Sequence, residues 1–289
     1  MMFVYYFAKL CAFFACKLPS SACETIGNIL GEIAWAVIPK WRKTLAINNA
    51  KDCLNVDEKK AEDIAKKSTT RFGAMVMEVL RFSVIKKDIK NYVELVGGEY
   101  LAEAVKEGKG GIIATGHSGN WELMGGALAC YGFPLVGVAK KQRGAGSDKF
   151  INEERRGIGM HITYKDDVRE MYKMLEKGYF IGLIMDQDTN RHDGVVLNFF
   201  NRPTNCTPGA ASMARFKKVP IFPGFIHRKE DGTHIITIYP PLKIEWTKDK
   251  REDLKRVTQE IVTLTEEHIK KYPEEWFWLH DRWKSMRDD

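Results

Sequence analysis

The chain has 289 residues, enough to bury a substantial core within one main domain. Its 45 basic and 38 acidic residues give a formal charge of +7, an excess that suits anionic lipid headgroups, a phosphorylated substrate or an acidic carrier protein. It holds no zinc-finger spacing, no aromatic RNA-binding signature and no long basic run, which argues against nucleic acid as a partner.

Residues 3 to 18 are apolar and aromatic, interrupted by Lys9 and closed by Pro19. A helix here is at or below the ~17 residues needed to span hydrocarbon, and Lys9 would have to snorkel. No basic region precedes it, which disfavours a cleaved signal peptide, and the pattern fits an anchor lying on or dipping into one leaflet. The other reading is a helix packed on the globular domain. A second helix, Ser20 to Ile38, carries Ile26, Ile29, Leu30, Ile33 and Val37 at helical spacing and stops before Pro39. Residues 1–38 are read as an N-terminal membrane-associated segment and residues 39–289 as an α/β catalytic domain. Lys40, Trp41, Arg42 and Lys43 then open a third helix; Trp beside cations suits a headgroup layer, and the forked guanidinium of Arg42 could hold a phosphate or carboxylate.

Val56 to Val84 reads as one long amphipathic helix with Arg71 and Glu78 near its apolar face, where charges are usually paired. After a strand at Tyr92–Val96 and a helix to Lys106, Gly111–Thr115 reads as a covered strand, Gly116 as a tight turn, and Asn120 as the cap of a helix. His117 sits between the two, at the carboxyl end of a strand, where open α/β sheets bind ligands. Glu122, one helical turn away, could fold back on the imidazole, the arrangement of a general base held by a carboxylate. A satisfied structural pair is the alternative.

The strand Pro134–Ala139 ends in Lys140, Lys141, Gln142 and Arg143, whose cations suit phosphate, and the next helix carries Arg155 and Arg156. A short edge strand at Ile162–Tyr164 and a helix over Asp166–Lys177 lead to the apolar strand Tyr179–Met185. That strand ends in Asp186, Gln187, Asp188 and, after two residues, Arg191. The two aspartates could coordinate a cation, but a Mg²⁺ site would recruit more carboxylates or a nucleotide, so no metal is expected; orienting cations such as Arg191 or ordering the loop is favoured. Val195–Phe200 reads as extended, Thr207 as an N-cap with Pro208 at the first helical position, and residues 219–225 and 234–239 as a hairpin. An amphipathic helix, Asp249–Lys271, precedes a tryptophan-rich terminus. The six cysteines, Cys11, Cys16, Cys23, Cys53, Cys130 and Cys206, match no disulfide framework and are read as free thiols in a reducing compartment.

His117-x4-Glu122 after an apolar strand, together with Pro273-Glu274-x-Trp276-x-Trp278-x-His280-x-Arg282-Trp283-Lys284, resembles the lipid A biosynthesis late acyltransferase family. The resemblance extends to the apolar N-terminus, Arg42 with its Asn-containing helix, the Asp186-Gln187-Asp188 strand end and the helix start at Pro208 to Ala211. The fold class expected is α/β, a central, mostly parallel mixed sheet flanked by helices, with an N-terminal helical membrane-associated segment. The resemblance implies an O-acyltransferase that moves a fatty acyl chain from a thioester donor, acyl carrier protein or coenzyme A, to a hydroxyl of a lipid A precursor, with no cofactor beyond the donor. His117 would deprotonate the hydroxyl, Glu122 would orient it, and amides near Gly116 or a nearby cation would hold the oxyanion. Arg42, Arg143, Arg156, Asp186, Asp188 and Arg191 are the substrate-binding candidates. The setting implied is the bacterial inner membrane, with the catalytic domain facing the cytoplasm. A different glycolipid acceptor, such as a phosphatidylinositol mannoside, is the nearest alternative. A serine hydrolase would need a Gly-x-Ser-x-Gly elbow, which the chain does not have. A non-enzymatic lipid-binding protein is the last.

Overall fold

The structure is a computed structural model and describes residues 2–287, so the outermost ends of the two expected segments, residue 1 and residues 288 and 289, lie outside it. The chain opens with helices α1 (Met2–Ala15), α2 (Ser20–Val37), α3 (Lys40–Leu54) and α4 (Glu58–Leu80). The expected long helix is interrupted at Arg81 and resumes as the single turn α5 (Phe82–Ile85), with a second short turn, α6 (Ile89–Tyr92). There follow β1 (Val93–Val96), α7 (Gly98–Lys106), β2 (Gly111–Thr115), α8 (Trp121–Cys130), β3 (Leu135–Ala139), α9 (Ala145–Ile158), β4 (His161–Tyr164), α10 (Val168–Glu176) and β5 (Phe180–Ile184). The last elements are the hairpin β6 (Val195–Phe199) and β7 (Arg202–Cys206), then α11 (Gly209–Lys217), β8 (Ile221–Arg228), β9 (His234–Ile238) and α12 (Lys250–Lys271).

Among the described residues the main sheet has seven strands in the order β1-β9-β8-β2-β5-β3-β4. Every pairing is parallel except β8 with β9. The central strands read as unbroken apolar runs because both faces are covered. Ile113, Phe180 and Phe222 pack on one face with Leu101 of α7 and Leu123 and Leu128 of α8. Their neighbours Ile112, Ile181 and Ile221 pack on the other with Met171 of α10, Ala210 and Ala214 of α11 and Ile261 of α12. The expected class, a mostly parallel mixed sheet between helices, is the one observed.

A third cluster joins α3 and α4 to the β6–β7 hairpin and the chain terminus, with Trp276, Trp278 and Trp283 against Phe199 and Phe200. From sequence, Asn201 to Thr204 reads as a turn around Pro203, but the structure places Arg202–Cys206 in strand β7. Phe200 and Asn201, both at positive φ, make the two-residue connection instead, and Pro203 lies in a two-stranded ribbon where a missing ladder donor is tolerated. Pro208 serves as the N-cap of α11 rather than its first residue.

The helix pair α2–α4 is closely packed. A Cβ on Gly31 would lie 1.9 Å from the Thr70 carbonyl oxygen, and one on Gly73 would lie 1.9 Å from that of Gly27, so only glycine allows this approach. With its glycines turned inward, α2 leaves Ile29, Ile33 and Val37 exposed, continuous in kind with Phe3, Phe7, Leu10 and Phe14 of α1. Lys9 does not sit among exposed hydrocarbon. Its ammonium pairs with Glu154 at 3.0 Å and Glu153 at 3.1 Å on α9, and Tyr5 donates to Glu153 at 2.9 Å. Among the described residues no helix is long and apolar enough to cross a membrane.

Candidate active site

Strand β2 delivers the chain to Gly116, His117, Ser118, Gly119 and Asn120 before α8 begins. Asn120 caps that helix, its Oδ1 accepting from the Leu123 N–H at 2.9 Å, as its position in the sequence suggested. Gly119 adopts φ +61°, and a Cβ there would lie 2.2 Å from the Ile226 carbonyl oxygen, so the turn is open only to glycine.

The imidazole of His117 is oriented by Asp186. Its Nδ1 lies 2.7 Å from Asp186 Oδ1, while its own backbone N–H donates to Asp186 Oδ2 at 2.8 Å. Trp276 Nε1 donates to the same Oδ2 at 2.7 Å. Burial alone would raise the Asp186 carboxyl, but the adjacent His117 ring and these hydrogen bonds outweigh it and hold the group at about 2. An ionised carboxylate only accepts, so the proton on the ring is at Nδ1 and Nε2 keeps its lone pair.

This corrects the expected contact with Glu122. The Glu122 carboxylate is taken by the guanidinium of Arg155, in a two-armed pair at 2.7 and 2.6 Å. Strand register supplies the reason. Thr115 of β2 is level with Ile184 of β5 in parallel pairing, so His117 and Asp186, each two residues further on, leave the sheet side by side. Glu122 instead lies on the first turn of α8 and points to α9. The expectation that Asp186 orients Arg191 is corrected as well, since both carboxylate oxygens serve His117 and Trp276.

The terminal segment closes the back of the turn. Phe277 N–H donates to the His117 carbonyl at 3.1 Å and Gly119 N–H to the Glu275 carbonyl at 3.0 Å. Arg71 donates to the Gly119 carbonyl at 2.7 Å and lies 3.8 Å from the Glu275 carboxylate, whose pKa burial raises despite the Arg71 charge. His268 Nε2 and Ser118 Oγ are 3.0 Å apart; burial, helped by the fields of His227 and Lys271, pushes His268 down to about 3 and keeps it neutral. Glu78 accepts from Asn120 at 2.6 Å and Tyr92 at 3.0 Å and meets His234 Nε2 at 2.8 Å. Burial acts to raise its pKa, and the His234 field with these hydrogen bonds reverses the effect and lowers it.

In front of the turn, the Trp121 ring meets the imidazole edge-on, with centroids 4.9 Å apart, and the Gln187 amide nitrogen is 3.3 Å from His117 Nε2. A narrow apolar cavity of about 80 Å³ runs from Trp121 between α8 and strands β2, β3 and β5. Ile113, Met124, Leu128, Gly137, Met160 and Gly182 are among its walls, with Glu122 and Arg155 also lining it.

The remaining expected residues fall outside this cluster. Arg42 donates to the Leu279 carbonyl at 3.0 Å and stacks on Trp41, bracing the terminus. Asp188 accepts from the Ser285 N–H at 2.9 Å and hydroxyl at 2.6 Å and lies 3.7 Å from Arg282, ordering the loop as one of the two expected roles had it. Arg191 donates to the Ser285 carbonyl at 2.5 Å and the Arg287 carbonyl at 3.3 Å. Arg143 and Arg156 are exposed. All six cysteines are free thiols. Sequence reasoning missed the pairing of Asp186 with His117, the role of Trp276 and the Glu122–Arg155 pair. The first could have been found by placing the ends of the two apolar strands level.

The site thus sets an imidazole held by a buried carboxylate at the sheet's carboxyl edge, beside an apolar cavity. Residues 2–285 match the family model described as bacterial lipid A biosynthesis acyltransferase, and the chain belongs to that family. It is 22% identical to a lipid A biosynthesis acyltransferase of Haemophilus influenzae over 98% of this chain and 87% of the relative. It is 23% identical to the lipid A biosynthesis lauroyltransferase of Escherichia coli over 93% and 87%, respectively. It is 22% identical to a phosphatidylinositol mannoside acyltransferase of Mycolicibacterium smegmatis over 77% and 73%. Among solved structures it is similar to the 1-acyl-sn-glycerophosphate acyltransferase PlsC of Thermotoga maritima, with a TM-score of 0.38 and 15% identity over 80% of this chain and 97% of that one. The chain is therefore an acyltransferase of the lipid A and glycolipid type, a family that implies a lipid acceptor and an acyl thioester donor.

Proposed function

We propose that this protein transfers a fatty acyl chain from acyl carrier protein or coenzyme A to a hydroxyl of a lipid A precursor, with His117 as general base and Asp186 as the carboxylate that orients it. The observation that carries the reading is the 2.7 Å contact from Nδ1 to a buried carboxylate, which leaves the Nε2 lone pair directed toward Gln187 and the Trp121 side of the site. The acyl chain enters the cavity beneath Trp121, which places the thioester carbon near Nε2. The acceptor hydroxyl loses its proton to Nε2 as its oxygen attacks, and the imidazolium that forms is stabilised by Asp186 and then protonates the departing sulfur. The buried carboxylate stays ionised throughout, because its proton affinity is already depressed.

The setting is the cytoplasmic face of the bacterial inner membrane. The outward apolar residues of α1 and α2, followed by Trp41 with Lys40 and Lys43, suit a helix pair lying in one leaflet with its cations at the headgroups. A mannosylated phosphoinositide is the second reading for the acceptor, favoured by the mycobacterial relatives.

The test is incubation of the full-length protein with lauroyl-acyl carrier protein and a lipid A precursor, followed by mass spectrometry. Mass increase by one acyl group, abolished by His117→Ala, is expected. An unchanged precursor alongside an acylated phosphatidylinositol mannoside would move the acceptor to the second reading. Full activity of His117→Ala would overturn the base.

A further inference from the structure

We infer that Gln187 is a catalytic residue, its side-chain amide donating to the thioester carbonyl oxygen as that oxygen takes up negative charge; the inference rests on the acyl-transfer reading above. Two of the backbone amides near Gly116 are already engaged. His117 N–H points to Asp186 and Gly119 N–H to the Glu275 carbonyl, both directed into the protein. Gln187, by contrast, is half-buried with its amide nitrogen 3.3 Å from His117 Nε2. Because Asp186 fixes the ring proton on Nδ1, Nε2 is an acceptor and the amide its donor.

The strand that carries Gln187 also forms the cavity. Gly182 and Ile184 of β5 line it, and Gln187 follows three residues beyond Ile184, one past the residue level with His117. An acyl chain lying along β5 therefore brings its first carbon toward the side of the site where Nε2 and the Gln187 amide lie. The side chains on either side of Gln187 are held, Asp186 by His117 and Trp276 and Asp188 by Ser285. A donor carried between two fixed residues needs only a turn of its own side chain to stabilise the transition state. As a neutral group it does so without opposing the positive charge that His117 acquires.

The chemistry links base and donor. The acceptor oxygen forms a bond to the thioester carbon, its proton passes to Nε2, and the carbonyl electron pair moves onto oxygen. The bound acceptor hydroxyl, by donating to the single Nε2 lone pair, displaces the Gln187 amide from it before attack and frees that amide for the carbonyl oxygen. Collapse restores the carbonyl, breaks the C–S bond and returns the proton from Nε2 to sulfur, giving ester and thiol.

The test is thiol release from lauroyl-CoA by the full-length protein, with water alone and with a lipid A precursor as acceptor. Gln187→Ala is expected to lower kcat by roughly 10²–10³-fold with little change in KM for lauroyl-CoA. Gln187→Glu keeps the shape, cannot donate when ionised and places a negative charge beside the imidazole. It is expected to lose at least as much rate and to move the acid limb of the pH profile upward, as a negative charge beside Nε2 requires. If both variants keep kcat within a few fold of wild type while His117→Ala releases no thiol, Gln187 is not the donor and the acyl-transfer reading stands. If His117→Ala releases thiol at the wild-type rate, that reading falls and this inference with it.

Discussion

Around His117, polar groups lie inside the protein; on α1 and α2, apolar groups lie outside it. Asp186, Ser118, Asn120 and Glu78 are all buried, and each is hydrogen-bonded. Phe3 is 78% exposed, and Phe7, Ile29 and Ile33 more than half exposed, although glycines on the same α2 pack tightly against α4. Burying polar groups is costly unless they are paired, and a contiguous apolar face is rare on a soluble surface. The inner region meets that condition through its own hydrogen bonds, whereas the outer face departs from ordinary sorting in a way that folding alone does not require. In the proposed reading both are completed from outside, one by a thioester and a hydroxyl, the other by lipid.

The contrast can be broken at several points. The largest effect is expected on the outer face. Glutamate at Phe7, Ile29 and Ile33 together removes three apolar contacts worth about 1.5–3 kcal/mol each, which should weaken partitioning onto anionic vesicles by roughly 10³-fold or more. Because these side chains are exposed, the melting temperature should hold, as vesicle sedimentation and calorimetry would check. Unchanged sedimentation would remove the membrane role.

The inner region should instead respond to acid. His268 is neutral in the fold at about 3 and titrates near 6.5 when unfolded, so below pH 6.5 the unfolded chain binds a proton that the native chain does not. Its contribution is present above pH 6.5 and is lost as the pH falls toward 3, by roughly 3–5 kcal/mol in all. Asp186 acts lower, its contribution lost as the pH falls from the ordinary carboxylate value of 3.8 to about 2. Urea midpoints measured from pH 7 to 4 should fall steeply in the wild type and more gently in His268→Gln.

A smaller change is expected at the rim of the cavity. Glu122→Ala leaves Arg155 without its carboxylate at a site where both side chains are about 13–14% exposed, and should cost roughly 3 kcal/mol in stability, read as a lower melting temperature. The smallest is Trp276→Phe, which keeps the ring but deletes one donor to Asp186, at a cost near 1.4 kcal/mol or about tenfold in kcat.

Much of the fold was legible because its signals are local. The apolar runs at Gly111–Thr115 and Phe180–Ile184, the Asn120 cap and the glycine-bounded turn each announce themselves within a few residues. His117 was found for the same reason. Its partner was not, since Asp186 is 69 residues away and Glu122 is five, and local spacing favours the nearer carboxylate. Only the β2–β5 register places the distant one alongside. The tryptophan-rich terminus was seen as a motif, but that Trp276 reaches Asp186 depends on α12 returning the chain beneath the turn. Arg42 and Arg191 were chosen for their chemistry, yet both donate to carbonyls of that same terminus, contacts that no pattern in either segment encodes.

The most direct measurement is kcat for acyl transfer by Asp186→Asn at saturating donor and acceptor, with its melting temperature as a control. The amide keeps the size of the side chain but can no longer hold the Nδ1 proton as a carboxylate does. A fall of roughly 10²–10⁴-fold, with the fold intact, is the result required if Asp186 sets the tautomer of the base. A folded Asp186→Asn protein with kcat within a few fold of wild type would contradict it.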